Sequence, residues 1–202
     1  MPPLTALPPA FFDRDPRRVA RALLGKLLVR REGRTRLIGR VVETEAYLGA
    51  SDPAAHSAAG RTARNAVLFG PPGLAYVYFI YGSHYCLNVS CLRDGTPGGV
   101  LFRALEPLAG LESMAAARGL PSVPVDLRTL TTGPGRMAQA FGIDRARDNE
   151  KNLASARSDL FLADDGYRPR RIALTARVGI TKAAGELLRY TVAGNRFVSG
   201  RM

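Results

Sequence analysis

The sequence contains no tryptophan and, among its 202 residues, only two cysteines and two histidines. Cys86 and Cys91 differ in strand parity and would face opposite sides of a regular strand, and neither belongs to a CxxC motif. With only His56 and His84 beside them, the chain lacks the four clustered ligands of a structural zinc ion or an iron–sulfur cluster. We therefore expect no disulfide, no metal site and no cofactor.

Long hydrophobic runs are also missing. No run of about eighteen apolar residues occurs, and the opening segment "MPPLTALPPAFFDRDP" has no cationic part followed by a long apolar one. Both observations argue against a membrane-spanning helix and a secretory signal. Apolar residues make up 46% of the chain and are evenly spread, which is enough for one sizeable core. We expect a single soluble, cytoplasmic domain spanning residues 1–202, with no membrane partner.

Lysine is scarce: the sequence contains three lysines and 26 arginines. The formal net charge is +12 and the isoelectric point is about 10.6. Such a charge is typical of proteins that neutralise phosphates, and arginine is the better bidentate phosphate ligand. A GC-rich genome could produce the same arginine excess by codon usage. The charge therefore favours a nucleic-acid partner without deciding for one.

The spacing of apolar residues predicts helices at both ends of the chain. Residues 15–25 fit a helix with Asp15 as its N-cap and Gly25 after its end. Further helices are predicted near Leu111–Arg118, Pro134–Phe141 and Ala183–Leu188, and the Pro-, Gly- and Thr-rich residues 118–135 indicate a surface connection.

The middle of the chain has the period of two that is typical of strands. Residues 26–48 predict two strands joined at Glu32-Gly33, and residues 73–108 predict three strands with turns at 81–84 and 94–98. One more strand is predicted within residues 170–180. Together these elements indicate an α+β fold with a central, mostly antiparallel sheet, a protruding β-hairpin and flanking helices.

Two carboxylates share one strand face in the stretch "VVETEAYL". Alternation places Glu43, Glu45 and Tyr47 on the same side. A solvated strand face is the commoner explanation of such a pattern. The alternative is a carboxylate beside an apolar or aromatic wall, where desolvation would make it a better general base.

The next two stretches contain further candidates. "HSAAGRTARNAVLFGPPG" places His56, Arg61 and Arg64 in a loop, where arginines could follow a phosphate backbone. In "YVYFIYGSHYCLNVS", Tyr78 can point from its strand as a stacking platform, and Tyr81 lies in the turn beside Gly82. An aromatic residue at a hairpin tip either covers a neighbouring loop or inserts into a partner, as in enzymes that extract a base from DNA.

Five stretches of the chain are "GRVVETEAYLG", "DPAAHSAAGRTARNAVLFGPPG", "YVYFIYGSHYCLNVSC", "GVLFRALEPLAGLE" and "TGPGRMAQAFGI". In order and spacing they resemble the motifs of the alkyladenine (3-methyladenine) DNA glycosylase family. The resemblance covers nearly the whole chain. It implies a single α+β domain similar to the formyltransferase C-terminal domain. It also implies a monofunctional enzyme of base excision repair that flips alkylated purines out of duplex DNA and hydrolyses the N-glycosidic bond, leaving an abasic site.

The resemblance also assigns roles to residues that match the family's motifs. Glu45 resembles the general base that activates the water, and Arg103 the arginine beside that water. The expected base pocket consists of Tyr47, His56, Tyr78 and Asn88, of which Asn88 matches the residue that disfavours the 2-amino group of guanine. Tyr81 corresponds to the residue that intercalates into the duplex, and the DNA backbone is expected to contact Arg61, Arg64 and Arg136.

The sequence departs from the family pattern at two positions. Ala63 stands where a proline is common, and Ser83 replaces a bulkier residue beside Tyr81. Ala63 lies in the loop that is expected to contact the DNA backbone, and Ser83 lies where a larger side chain would support Tyr81. No lysine lies in the central motifs, so no Schiff-base nucleophile is expected.

Other functions fit the sequence less well. A non-catalytic module that binds damaged nucleic acid could use the same basic, aromatic surface, whereas a hydrolase of free nucleosides would need neither the charge nor the wedge. We expect a monomer acting on double-stranded DNA with damaged purines. The sequence does not rank 3-methyladenine, 7-methylguanine, hypoxanthine and ethenoadenine as substrates.

Overall fold

The computed structural model describes residues 4–124 and 126–200, in which nine strands form one sheet. The strands are β1 Thr5–Ala6, β2 Leu27–Glu32, β3 Thr35–Tyr47, β4 Ala75–Ile80, β5 His84–Ser90, β6 Gly99–Ala109, β7 Leu160–Asp164, β8 Ile172–Thr175 and β9 Arg189–Val192. The α-helices are α1 Pro16–Leu23, α2 Leu111–Ala117, α3 Arg128–Thr131, α4 Pro134–Ala140 and α5 Arg145–Asp148. Short 3-10 segments are Pro9–Phe11, Gly49–Ser51 and Ala66–Phe69.

The sheet is antiparallel at every described pairing, in the order β1-β7-β2-β3-β6-β5-β4. β9 adds to the second half of β3, and β8 pairs with β9. β3 therefore has β6 on one side, and β2 followed by β9 on the other. The end of β3 is thus paired on both edges, and its residues 41–46 are buried.

The two faces of β3 have different neighbours. Helix α1 packs on one face, where Thr44 donates a hydrogen bond from Oγ1 to the carbonyl oxygen of Ala20 at 3.0 Å. Val42 and Ala46 belong to the same apolar core as Leu23 of α1. Since neighbouring strand residues point in opposite directions, the side chain of Glu45 projects from the other face.

Most of the predicted elements are confirmed. Helix α1 begins after Asp15, whose Oδ1 accepts a hydrogen bond from the backbone nitrogen of Arg17 at 2.8 Å. The two strands joined at residues 33–34, the three strands of residues 73–108 and the strand of residues 170–180 are present as β2 to β6 and β8. Helices α2 and α4 lie where the spacing places them, and the β4–β5 hairpin ends in an exposed tip. The likeness to a formyltransferase domain stays a prediction.

The helix expected at Ala183–Leu188 is wrong, because this stretch forms turns. Ala183 has a φ of 48°, which is outside the helical region, and Gly185 further weakens helix formation. The segment 118–135 is not wholly a surface connection, because it contains α3. There Thr131 is buried and donates from Oγ1 to the carbonyl oxygen of Leu105 at 2.6 Å.

The longest described helix, α1, has only eight residues. Crossing a bilayer takes about 20 residues of helix. Among the residues that the structure describes, none of the helices could therefore span a membrane.

Candidate active site

A cavity of about 530 Å³ opens on the sheet face opposite α1. This volume lies in the range of small-molecule sites. Its walls come from strands β3 to β6, from the segments around residues 54–57, 132–136 and 178–180, and from Leu68 and Tyr81. Among the lining residues are Tyr47 of β3, Tyr78 of β4, Asn88 of β5, Arg103 of β6, His56 and Val178. The fold thus gathers residues that are far apart in the sequence around one space.

Glu45 lies directly behind this wall and has no exposed surface. Its Oε2 accepts a hydrogen bond from the Tyr47 hydroxyl at 3.0 Å, and its Oε1 accepts one from the backbone nitrogen of Val178 at 2.8 Å. Nη1 of Arg103 lies 3.3 Å from the same Oε1. A solvated strand face is therefore excluded, because the carboxylate is buried among donors that themselves line the cavity.

Arg103 connects the two glutamates of β3. Its Nε donates to Glu43 Oε1 at 2.9 Å, while Nη1 faces Glu45. Burial lowers the pKa of Arg103, but the nearby carboxylates of Glu45 and Glu43 outweigh it, and the net pKa is raised. The guanidinium therefore keeps its charge at the cavity wall.

Tyr47 is held from behind by a buried ion pair. The Arg177 guanidinium lies 4.7 Å from the centre of the Tyr47 ring and bonds Asp52 through Nη1 and Nη2 at 2.5 and 2.9 Å. Burial raises the pKa of Asp52, but its hydrogen bonds from Arg177 and two backbone amides lower it overall. Burial is also the main reason why the pKa of Tyr47 is raised. The Tyr47 hydroxyl is therefore protonated and acts as a donor.

His56, Tyr76 and Tyr78 form an aromatic cluster on another side of the cavity. The rings of His56 and Tyr78 are 4.5 Å apart, and Nδ1 of His56 lies 2.9 Å from the Tyr76 hydroxyl. Burial, followed by the charge of Arg64, lowers the pKa of His56. The imidazole is therefore neutral at neutral pH, although the residue is exposed at the rim.

Asn88 is buried at the cavity wall, where its Nδ2 donates to the carbonyl oxygen of Tyr76 at 3.3 Å. Cys86 lies beside it and pairs across the hairpin with Tyr78. Both cysteines are buried and free. Cys86 is a lining residue that the sequence reasoning did not place in the pocket.

The tip of the β4–β5 hairpin borders the cavity, and Tyr81 is one of the lining residues. Tyr81 is 81% exposed and has a φ of 54°, and Gly82 follows with a φ of 67°. A positive φ is uncommon for a bulky residue and costs conformational energy. Since most of the ring lacks protein contacts, Tyr81 does not serve to cover a neighbouring loop.

Comparison with known proteins identifies the family of the chain. The model of the methylpurine-DNA glycosylase family matches residues 10–196. The chain belongs to this family. It is 64% identical over 198 residues to a candidate 3-methyladenine DNA glycosylase of Koribacter versatilis, covering 98% of this chain and 95% of that relative. Relatives named in the same way are 50% identical in Burkholderia lata (98% and 93% covered) and 48% identical in Methanoculleus marisnigri (96% and 99%).

The three arginines that are expected to contact the DNA backbone, Arg61, Arg64 and Arg136, are all exposed. Arg64 lies 5.8 Å from the Tyr78 ring centre, and Arg136 borders the cavity at the start of α4. Neither Arg61 nor Arg64 lines the cavity. The fold thus brings one of the three, Arg136, to the cavity wall and leaves the other two on the neighbouring loop.

Sequence reasoning gave no role to several residues that support the site. These are Glu43, Asp52, Arg177, Val178 and Ser199. The alternation in β3 already put Glu43 beside Glu45 and was the one available signal. The pair Asp52–Arg177 joins positions 125 residues apart, so no local pattern could have revealed it.

Proposed function

We propose that this chain is a monofunctional DNA glycosylase of base excision repair. It flips an alkylated purine out of duplex DNA, binds the base in the cavity and hydrolyses the N-glycosidic bond with a water activated by Glu45. The product is an abasic site. Residues 1–202 act as one domain and as a monomer, and the reaction uses no metal or cofactor.

The buried carboxylate of Glu45 carries the proposal. A general base must lie within hydrogen-bond reach of the proton that it accepts. Oε2 of Glu45 is hydrogen-bonded to the Tyr47 hydroxyl, which itself borders the cavity. When the nucleotide is bound, a water takes the place of this hydroxyl at Oε2. Its oxygen attacks C1′, its proton passes to Glu45, and the glycosidic electron pair leaves with the base.

The aromatic walls select the base. A purine methylated at N3 or N7 is positively charged, so its glycosidic bond is already weak and departure needs little help. The faces of Tyr47 and Tyr78 attract such a cation by about 0.5 to 2 kcal/mol per ring. This preference alone is modest. Contacts from His56 and Asn88 at the cavity walls add to it.

The exposed residues around the mouth bind the duplex. Arg61, Arg64 and Arg136 contact phosphates, and their positive charges contribute to the net charge of +12. Tyr81 enters the stack from the hairpin tip and occupies the space that the flipped base leaves.

A base-release assay tests this function. The protein is incubated with methylated duplex DNA, and free 3-methyladenine and 7-methylguanine are measured by chromatography. We expect release that survives EDTA, leaves the strands uncut, and gives no covalent complex on borohydride treatment. Matched unmethylated duplex should compete for binding but release no base.

The contrary outcomes separate the alternatives. Binding of methylated duplex without base release would indicate a non-catalytic module. Sensitivity to EDTA would overturn the metal-free mechanism, and borohydride trapping would overturn the monofunctional one. Release from free nucleosides that undamaged duplex does not inhibit would indicate a nucleoside hydrolase.

A further inference from the structure

Glu43 is as deeply buried as Glu45 and accepts hydrogen bonds from four donors. Oε1 receives Nε of Arg103 at 2.9 Å, Nε of Arg189 at 2.7 Å and Oγ of Ser199 at 2.9 Å. Oε2 receives the backbone nitrogen of Ser199 at 2.6 Å. The carboxylate is therefore fully engaged and cannot exchange protons with a substrate in the cavity.

The contact with Glu43 determines the direction in which Arg103 points. A guanidinium is planar and rigid, so fixing Nε also fixes the positions of both Nη atoms. With Nε on Glu43, Nη1 lies 3.3 Å from Glu45 Oε1 and Nη2 lies 3.4 Å from Ser199 Oγ. Arg103 is thus held on two sides from behind while it lines the cavity in front.

We infer that Glu43 is a positioning residue, which holds Arg103 in the orientation that the reaction needs, and that Ser199 completes this clamp. The inference rests on the proposed function, in which Glu45 activates water. Without the negative charge of Glu43, Glu45 is the remaining carboxylate in contact with Arg103. The guanidinium then turns towards Glu45 and occupies the oxygen that should bind water.

This assignment changes an expectation that follows from the family resemblance. The resemblance gives the role of general base to Glu45 alone, and on that ground Glu43→Gln is expected to be much milder than Glu45→Gln. In the structure, three of the four groups around Glu43 can only donate: Nε of Arg103, Nε of Arg189 and the backbone nitrogen of Ser199. The NH₂ group of a glutamine would therefore face at least one such donor in either orientation. Because Glu43→Gln also removes the negative charge that faces Arg103, it should disturb the orientation of Arg103.

The first measurement is single-turnover excision from a duplex with one 7-methylguanine, at saturating enzyme. We expect Glu43→Gln to lower the rate on the order of 10²-fold, the effect of a small misplacement of a reacting group. Affinity for a duplex with an abasic site should stay at the parental value. A role in DNA binding would instead change affinity and leave the saturating rate intact.

A double-mutant cycle then tests whether Glu43 acts through Arg103. Glu43→Gln is combined with Arg103→Lys, which removes the Nε contact, and separately with Arg189→Lys. Arg189 is the matched control because its side chain bonds the same Oε1. It lies opposite Glu45 in the β3–β9 pairing, but its described side-chain bonds go to Glu43, Thr175 and Ser199 and not to the Glu45 carboxylate. The rate loss from Glu43→Gln should largely disappear in the Arg103→Lys background and persist in the Arg189→Lys background.

Two results would overturn the inference: a parental rate for folded Glu43→Gln, whatever its melting temperature, or an equal rate loss in both backgrounds. If Glu43→Gln does not fold, Ser199→Ala replaces it. We expect Ser199→Ala to lower the excision rate several-fold, and this loss should also disappear in the Arg103→Lys background. A parental excision rate for Ser199→Ala would overturn the inference. Full excision by Glu45→Gln would refute the proposed base, whereas the cycle would still report on Glu43 and Arg103.

Discussion

The wall behind the cavity and the tip of the β4–β5 hairpin differ in almost every physical respect. In the wall, Glu43, Glu45, Asp52 and Arg177 are buried, and each has a partner of opposite charge. At the tip, Tyr81 is mostly exposed and its backbone adopts an uncommon conformation. One region is fixed by many contacts and the other is nearly free of them.

The difference fits the two tasks of the proposed reaction. Activating a water requires charged groups that are held in place before the substrate arrives, and a dry, paired interior provides this. Opening a duplex requires a side chain that reaches out of the protein. Changes in the wall should therefore affect stability, chemistry or both, whereas changes at the tip should affect DNA opening alone.

The largest effect is expected for Glu45→Gln. The amide keeps the shape of the side chain but cannot accept the proton of water, so single-turnover excision should fall about 10²- to 10⁴-fold. Binding to lesion-containing duplex should persist. Glu106→Gln is the matched control, because Glu106 lies on β6 and bonds Asn195 at 3.0 Å instead of bordering the cavity. Substantial excision by Glu45→Gln would show that Glu45 is not the general base.

The next effect concerns stability. Asp52→Asn removes the charge that pairs with buried Arg177, and leaving such a cation uncompensated costs about 3 kcal/mol. The melting temperature should fall by about 6 to 12 °C, as measured by thermal denaturation. Asp15→Asn is the control, since its pair with Arg17 is exposed and asparagine caps a helix equally well. Equal losses in both variants would contradict the special cost of the buried pair.

The pH dependence of the same variant sharpens this prediction. Because the pKa of Asp52 is lowered in the folded protein, its contribution to stability is present above the ordinary aspartate pKa of about 3.9 and is lost as pH falls below it. The gap in melting temperature between parent and Asp52→Asn should therefore shrink in acid. A gap that stays constant down to low pH would assign the loss to packing instead of charge.

The sequence predicted local structure well because that structure follows from periodicity. Alternation identified β2 to β6, and the cap at Asp15 marked the start of α1. The exceptions are short elements such as β9, whose four residues carry too little pattern to be recognised. The helix expected at residues 183–188 failed because backbone conformation at Ala183 overrides apolar spacing.

The site was predictable only in part. Resemblance to a family named Glu45, Tyr47 and Arg103, and the fold does bring these three together. The groups that hold them were not predictable, since the partners of Glu43 are 60 to 156 residues away in the sequence. Those contacts arise because β3 pairs with β6 and β9 in the sheet, and no local sequence motif indicates this pairing.

The smallest effect is expected at the tip, for Tyr81→Ser. Extruding a paired base costs a few kcal/mol, and an inserted ring recovers about 1 to 2 kcal/mol of it by stacking. The flipping equilibrium should therefore fall about 5- to 30-fold. The full reduction in flipping is expected for a lesion in a stable duplex, and only a small reduction for the same lesion in a mismatch or a single strand. Fluorescence of a reporter base at the lesion measures flipping directly.

Two comparisons make this prediction specific to the tip. Phe79→Ser removes another exposed aromatic from the same hairpin, 46% exposed and packed 5.0 Å from the Tyr85 ring, and it should leave flipping intact. The melting temperature of Tyr81→Ser should equal that of the parent, unlike that of Asp52→Asn, because the Tyr81 ring has few protein contacts to lose. If Tyr81→Ser flips and excises as well as the parent from a fully paired duplex, the hairpin tip has no part in opening DNA.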